Sequence, residues 1–194
     1  MAKKFPIPFE IITCPKWDAR RPKQGITTCG ESNKTIFHHT AGHVRQLGNP
    51  KVTTLEEAMQ YARDIQKYHM DGNGWTDSGH NFLICRAGYV LQGRWLTVSA
   101  IQAGHMVNSA HCPGQNQQIG LEHEHFGNEE MTARQKESSA LLMAWIAWHY
   151  ENKNVPPSLP HSRYFPTSCP ANLNEDIAGI VKRAQILLNQ ARST

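Results

Sequence analysis

The residues best suited to chemistry are histidines and a cysteine in well-separated parts of the chain. His161 and Cys169 both fall within PHSRYFPTSCP, whose prolines argue against a helix, and the apolar segment TIFHHTAG supplies His38 and His39. Imidazole nitrogen and thiolate sulfur are ligands of Zn²⁺, and three protein ligands leave a fourth position at which the pKa of a water falls to about 7. The pattern therefore indicates a zinc site with hydrolytic chemistry.

The residue pattern leaves two features of this zinc site open. Successive strand residues point to opposite faces, so only one of His38 and His39 can join a given metal, and their order does not decide which. Cys112 or His111 could add a fourth ligand, and a closed four-ligand site would make the zinc structural.

Strand patterns surround the candidate ligands. TIFHHT (35–40) is β-branched and apolar at its start, which predicts a buried strand. HNFLICRAGYVLQGR (80–94) predicts a hairpin that turns at Ala87 and Gly88. QQIGLEHEH (117–125) alternates apolar with charged residues, which predicts a half-buried strand.

Helix signals lie between and after these strands. Thr54 and Glu57 form a predicted capping box that opens a helix ending near Gly72. Thr132 is placed to cap a second, strongly apolar helix, and Asn174 to cap a third. The mixture predicts an α/β fold, with a central mixed sheet flanked by helices.

Length and composition favour one domain. The chain has 194 residues, of which 39% are hydrophobic, enough for one well-buried core. Prolines and glycines in 1–34 predict an extended arm packed on a catalytic domain at 35–194. No apolar run is long enough to cross a membrane and no export signal is recognised, so we expect synthesis in the cytoplasm and no membrane insertion.

Charge and cysteine content limit the possible partners. The formal net charge is +4, and the basic residues are spread rather than clustered, so we expect no nucleic-acid binding. An anionic polymer such as a cell wall remains a possible partner, and we expect a monomer. The five cysteines suit one functional thiolate better than a full disulfide framework, although Cys14 and Cys29 could still pair.

Four motifs, taken in order, carry a resemblance to a known family. They are TIFHHTAGH, DSGHNFLICRAGYVLQGR, SAHCPGQNQQIGLEHE and HSRYFPTSCP, and WDARRP near the start adds a fifth. Together they resemble the zinc-dependent N-acetylmuramoyl-L-alanine amidases, the family that includes phage T7 lysozyme and the peptidoglycan recognition proteins. The resemblance covers most of the chain. It implies the family's α/β fold and a Zn²⁺ cofactor.

The resemblance also implies roles for individual residues. His38, His161 and Cys169 match the family's metal ligands. Glu122 matches a glutamate that accepts a proton in the subgroup with the pattern I-G-I-E-x-E, and we predict that it is the general base. His80 replaces a tyrosine found in many members, so either His80 or Thr167 is expected to donate a hydrogen bond to the oxyanion, and His80 remains a rival for the role of base.

Substrate contacts and overall activity complete what the resemblance implies. His111, His39 and Asn81 are expected to contact the substrate. The expected substrate is bacterial peptidoglycan, cleaved between N-acetylmuramic acid and L-alanine, and the chain resembles the catalytic domain of a phage endolysin that acts on the wall after release from the cytoplasm. Two alternatives stay open: a non-catalytic peptidoglycan-recognition module, and an amidase for anhydromuropeptides in cell-wall recycling.

Overall fold

A five-stranded mixed sheet forms the centre of the computed structural model, which describes residues 4–41 and 52–194. The strands are β1 (Thr28–Cys29), β2 (Thr35–His39), β3 (Phe82–Ile84), β4 (Val90–Gln92), β5 (Met106–Val107), β6 (Ile119–His123) and β7 (Ser158–Pro160). The order in the central sheet is β4-β3-β6-β2-β7, in which β3, β6, β2 and β7 run parallel and β4 is antiparallel to β3. β1 and β5 form a separate antiparallel ribbon, which the prediction of a single sheet did not include.

Helices cover both faces of this sheet. They are α1 (Leu55–Lys67), α2 (Thr97–Gln102), α3 (Ala133–His149) and α4 (Ile177–Ser193). One core cluster joins α3 and α4 to the strands, and a second joins α1 to the N-terminal segment and the β3–β4 hairpin. The sheet is thereby buried on both sides, as expected for parallel strands. Within the described ranges, no helix has the length and apolarity that a membrane span requires.

Helix caps confirm two of the three predicted helix starts. The Thr54 hydroxyl accepts a hydrogen bond from Glu57 N, and the Glu57 carboxylate accepts one from Thr54 N, so the capping box is complete. α1 continues into a π-helical turn that ends at Gly72, and Thr132 caps α3 through Gln135 N. Asn174 is not a cap: it lies inside a 3-10 turn, Ala171–Glu175, and α4 starts only after Asp176.

Two strand predictions differ in outcome. The hairpin is confirmed, with β3 and β4 paired around the turn at Ala87 and Gly88. β6 is not half-buried, because all five of its residues are buried. The reason is its position between β3 and β2, under helices on both sides, so its polar side chains face the interior of the protein rather than solvent.

The N-terminal segment packs on the domain. Ile12 bridges to Leu91 of β4, and Trp17 is fully buried in a 3-10 turn, Cys14–Trp17. All five cysteines of the chain are free thiols here, so the open pairing of Cys14 with Cys29 is not formed. His43, the last histidine of TIFHHTAGH, lies outside the described residues.

Candidate metal centre

The register of strands β2 and β6 brings two polar side chains of the site, His38 and Glu122, together. β2 pairs with β6 in parallel, with His38 opposite Glu122, so the two side chains project from the same face of the sheet. β3 flanks β6 on its other side, and His80 lies just before β3. The geometry favours His38 over His39 as the candidate ligand: the ring of His38 contacts His80, His111 and His161.

The three predicted metal ligands converge in a cleft at this edge of the sheet. One ligand atom from each of His38, His161 and Cys169 lies within 4.8 Å of the others. Cys169 Sγ is 3.8 Å from His38 Nδ1, close to the separation of about 3.6 Å expected for sulfur and nitrogen on one tetrahedral Zn²⁺. Ser162 N donates to Cys169 O at 2.9 Å, which ties the two ligand-bearing loop ends together.

The electrostatics of this trio suit a cation. Burial, followed by the neighbouring rings of His80, His111 and His161, holds the pKa of His38 well below its ordinary value, so this imidazole is neutral. Burial raises the pKa of the Cys169 thiol to about 12, against a smaller opposing effect of the backbone N–H of His39. His161 Nε2 is buried and makes no hydrogen bond with the described part of the chain. Neutral imidazoles, an orphaned ring nitrogen and a thiol that needs a nearby positive charge to ionise together fit Zn²⁺.

A fourth protein ligand is not supplied by either candidate from the sequence. His111 uses both ring nitrogens in hydrogen bonds, one with His38 Nε2 at 2.8 Å and one with the carbonyl of Gln118 at 3.0 Å. Cys112 does not belong to the group of ligand atoms found within 4.8 Å of one another among the described residues. The arrangement therefore matches an open three-ligand centre rather than a closed structural one.

A carboxylate and an imidazole face each other beside the trio. His80 Nδ1 and Glu122 Oε2 are 2.7 Å apart, and both side chains are buried. Burial, with a smaller effect of His161, lowers the pKa of His80 to about 3, so its ring is neutral. At this distance the ring and the carboxylate are in direct polar contact, although the two atoms are not aligned for a hydrogen bond.

His69 is a part of the cleft that the sequence did not reveal. We expect a histidine at a helix end to interact with the helix dipole, yet His69 is buried, stacks on Trp75 and lies within 4.8 Å of ligand atoms of His80 and Glu122. Gly79 N donates to His69 Nδ1 at 3.1 Å, so in the neutral ring Nε2 carries the hydrogen. That tautomer is a donor, and it disfavours a second metal on this group.

The remaining predicted residues take different positions. Thr167 and His39 line the cleft, and the Thr167 hydroxyl accepts a hydrogen bond from Cys169 N at 3.2 Å. Asn81 is fully buried: its amide oxygen accepts from Gly120 N and its amide nitrogen donates to the carbonyl of Val107. It joins strands, so it is not placed to contact a substrate. His111 also lines the cleft, but it is buried beside His38 and its nitrogens are engaged as described above.

Sequence comparison connects these residues to known proteins. The profile of the family described as N-acetylmuramoyl-L-alanine amidase matches residues 30–172. The chain is 33% identical to peptidoglycan-recognition protein SC2 of Drosophila melanogaster over 93 residues, which are 48% of this chain and 47% of that protein. It is 36% identical to the human N-acetylmuramoyl-L-alanine amidase over 69 residues, 35% of this chain and 11% of that protein. The chain thus spans about half the length of the first of these relatives.

Solved structures of similar fold cover more of the chain. A Drosophila PGRP-LB variant in complex with tracheal cytotoxin has a TM-score of 0.70 at 24% identity, covering 87% of this chain and 92% of that one. Peptidoglycan recognition protein-LE, also in complex with tracheal cytotoxin, has a TM-score of 0.71 at 22% identity, with 87% and 92% covered. At these identities the similarity establishes the fold, and it confirms the predicted mixed α/β domain.

Proposed function

We propose an enzymatic function for this chain, which belongs to the N-acetylmuramoyl-L-alanine amidase family: zinc-dependent hydrolysis of the amide bond between N-acetylmuramic acid and L-alanine in bacterial peptidoglycan. One observation carries the proposal. The three ligand side chains His38, His161 and Cys169 are all present and converge, and the Glu122–His80 pair faces the same cleft.

The roles of the protein's own groups follow from this geometry. When bound by the trio, zinc supplies Lewis-acid polarisation of the scissile carbonyl and lowers the pKa of a water to about 7. Glu122 accepts the proton of the attacking water and returns it to the leaving amine of L-alanine. The ring of His80, whose Nδ1 lies 2.7 Å from Glu122 Oε2, holds the carboxylate in position for this work. Thr167 accepts from Cys169 N and retains its own hydroxyl hydrogen, which we assign to the developing oxyanion.

Several relatives are named for recognition of peptidoglycan rather than for its cleavage. A module that only binds has no need of a thiol paired with two imidazoles beside a buried carboxylate. The convergence of those groups favours hydrolysis. The wall-lytic role of a phage endolysin and the recycling of soluble anhydromuropeptides share this bond cleavage, and we propose the lytic role on the sequence resemblance.

Product analysis tests the function. Purified sacculi and, in parallel, soluble anhydromuropeptides are incubated with the protein, with the protein treated with EDTA, and with the EDTA-treated protein resupplied with zinc. We expect free stem peptides with a new L-alanine amino terminus from the first and third samples, and glycan strands of unchanged length. Binding of sacculi without release of peptide would support the recognition module instead. Cleavage of soluble anhydromuropeptides alone, with intact sacculi left uncut, would support recycling.

A further inference from the structure

Beneath the metal centre, a buried histidine connects His38 to the backbone of the chain. We propose that His111 is a positioning residue, which fixes the tautomer of His38 so that Nδ1 is the nitrogen offered to the metal. The inference rests on the proposed metal site. His111 thereby has a role different from the substrate contact expected from the sequence.

The tautomer of His38 follows from the hydrogen bonds that connect Gln118, His111 and His38. The carbonyl of Gln118 can only accept, so His111 Nε2, 3.0 Å away, carries a hydrogen. A charged ring here would be costly because His111 is buried and its Nδ1 faces another imidazole. Its Nδ1 is therefore bare and accepts from His38 Nε2 at 2.8 Å. That leaves His38 Nδ1 without a hydrogen, and this is the atom 3.8 Å from Cys169 Sγ.

A glycine in β6 provides an independent reason for the position of the His111 ring. A Cβ added at Gly120 would come within 2.6 Å of Cγ and Cδ2 of His111, closer than any side chain tolerates. The ring therefore packs directly on the backbone of the strand that also carries Glu122. Gly120 N and O are held by Asn81, so the strand cannot easily withdraw from an added methyl group. The absence of a side chain at Gly120 is what lets the ring of His111 reach His38.

Hydrogen-bond partners of metal-binding histidines contribute about 10-fold to 100-fold to metal affinity. We therefore expect His111→Phe, which keeps a ring but cannot accept, to weaken zinc binding by about that factor. His111→Gln should bind zinc close to wild-type affinity, because its amide can accept from His38 and donate to Gln118. Gly120→Ala should resemble His111→Phe although it changes no polar group. The exposed His105, changed to Phe and to Gln, is the matched control.

Zinc affinity is measured by competition with a chelator, and the cobalt-substituted proteins are compared by their absorption spectra. Weakened binding and an altered cobalt spectrum in His111→Phe, with recovery in His111→Gln, support the proposal. Equal affinity in His111→Phe and wild type overturns it while leaving the proposed enzyme intact. A wild-type protein that binds no zinc overturns both.

Histidine tautomers in the wild-type protein give a second test that does not depend on the folding of any variant. Long-range ¹⁵N–¹H correlation spectra of the metal-free protein should show His111 and His38 both protonated at Nε2. A hydrogen on His38 Nδ1 would contradict the inference.

Discussion

The two sides of the cleft are built in different ways. The proposed metal side takes its three candidate ligands from β2, from the 3-10 turn His161–Arg163 and from the loop that carries Cys169. It leaves His161 Nε2 without a hydrogen bond among the described residues and gives Cys169 a thiol whose pKa is raised to about 12. The proposed proton-transfer side lies on β6 and on the residues just before its hydrogen-bonded neighbour β3, and His80 and Glu122 already meet at 2.7 Å.

This difference indicates what each side requires. The metal side lacks a positive charge, and binding a cation would satisfy its nitrogens and ionise its thiol. The proton-transfer side is held by its own contact and by the sheet. Variants on the metal side should therefore remove both zinc and activity, whereas variants on the other side should remove activity and leave zinc in place.

The largest effect is expected from Cys169→Ser. A serine hydroxyl is a much poorer zinc ligand than a thiolate, so zinc should be lost on dialysis and hydrolysis of muropeptides should fall to the rate without enzyme. Zinc content and peptide release are measured on the same sample. Cys29→Ser, which changes a thiol outside the cleft, should retain both. Full activity with a complete complement of zinc in Cys169→Ser would show that the metal side is misassigned.

Glu122→Gln should separate the two sides most clearly. It keeps the shape of the side chain but cannot accept a proton, so turnover should fall by about 10²-fold to 10⁴-fold while zinc content and thermal stability stay near wild type. The exposed Glu10, changed to Gln, is the control. Loss of zinc together with activity in Glu122→Gln would show that the metal side and the proton-transfer side do not function separately.

His80→Ala should have a smaller effect, because His80 acts through Glu122. We expect a loss of about 10-fold to 100-fold in turnover, with zinc retained. Steady-state rates of both variants on one muropeptide decide the roles. If Glu122→Gln cleaves at nearly the original rate while His80→Ala does not, the base is His80.

Lowering the pH should reduce the free energy of unfolding of the metal-free protein, an effect that does not depend on catalysis. Burial lowers the pKa of both His80 and His123 to about 3, from 6.5 when unfolded. The unfolded chain then binds more protons, so the stability that these neutral rings provide is complete above about pH 6.5 and is lost as the pH falls toward 3. The slope should be about 1 kcal/mol per pH unit for each histidine, measured by urea unfolding in EDTA. A free energy of unfolding that does not change over this range would contradict the neutral, buried state.

Local signals in the sequence predicted local structure well. The capping box at Thr54 and the turn at Gly88 depend on neighbours within a few residues, and both are present. The metal trio could be proposed because its residue types and motifs are distinctive. β6 was predicted to be half-buried because alternating charge normally marks a solvent face, yet its carboxylate residue Glu122 is buried where it lines the cleft.

The roles of the residues that support the site could not be predicted from the sequence pattern. His69 and His111 acquire their roles from Gly79 N and the carbonyl of Gln118, which are backbone groups without a sequence signature. The tight contact between Gly120 and His111 likewise depends on how a loop folds back over a strand. Histidines of this kind resemble ordinary core residues until their hydrogen bonds are traced.

X-ray absorption at the zinc edge identifies the ligands of the proposed zinc site. The protein loaded with zinc to equivalence is measured beside Cys169→Ser. We predict one sulfur at about 2.3 Å and three lighter atoms, two of them imidazole nitrogens, with the sulfur absent in the variant. Two or more sulfurs would make the centre structural, and a wild-type spectrum without sulfur would contradict the assignment of Cys169.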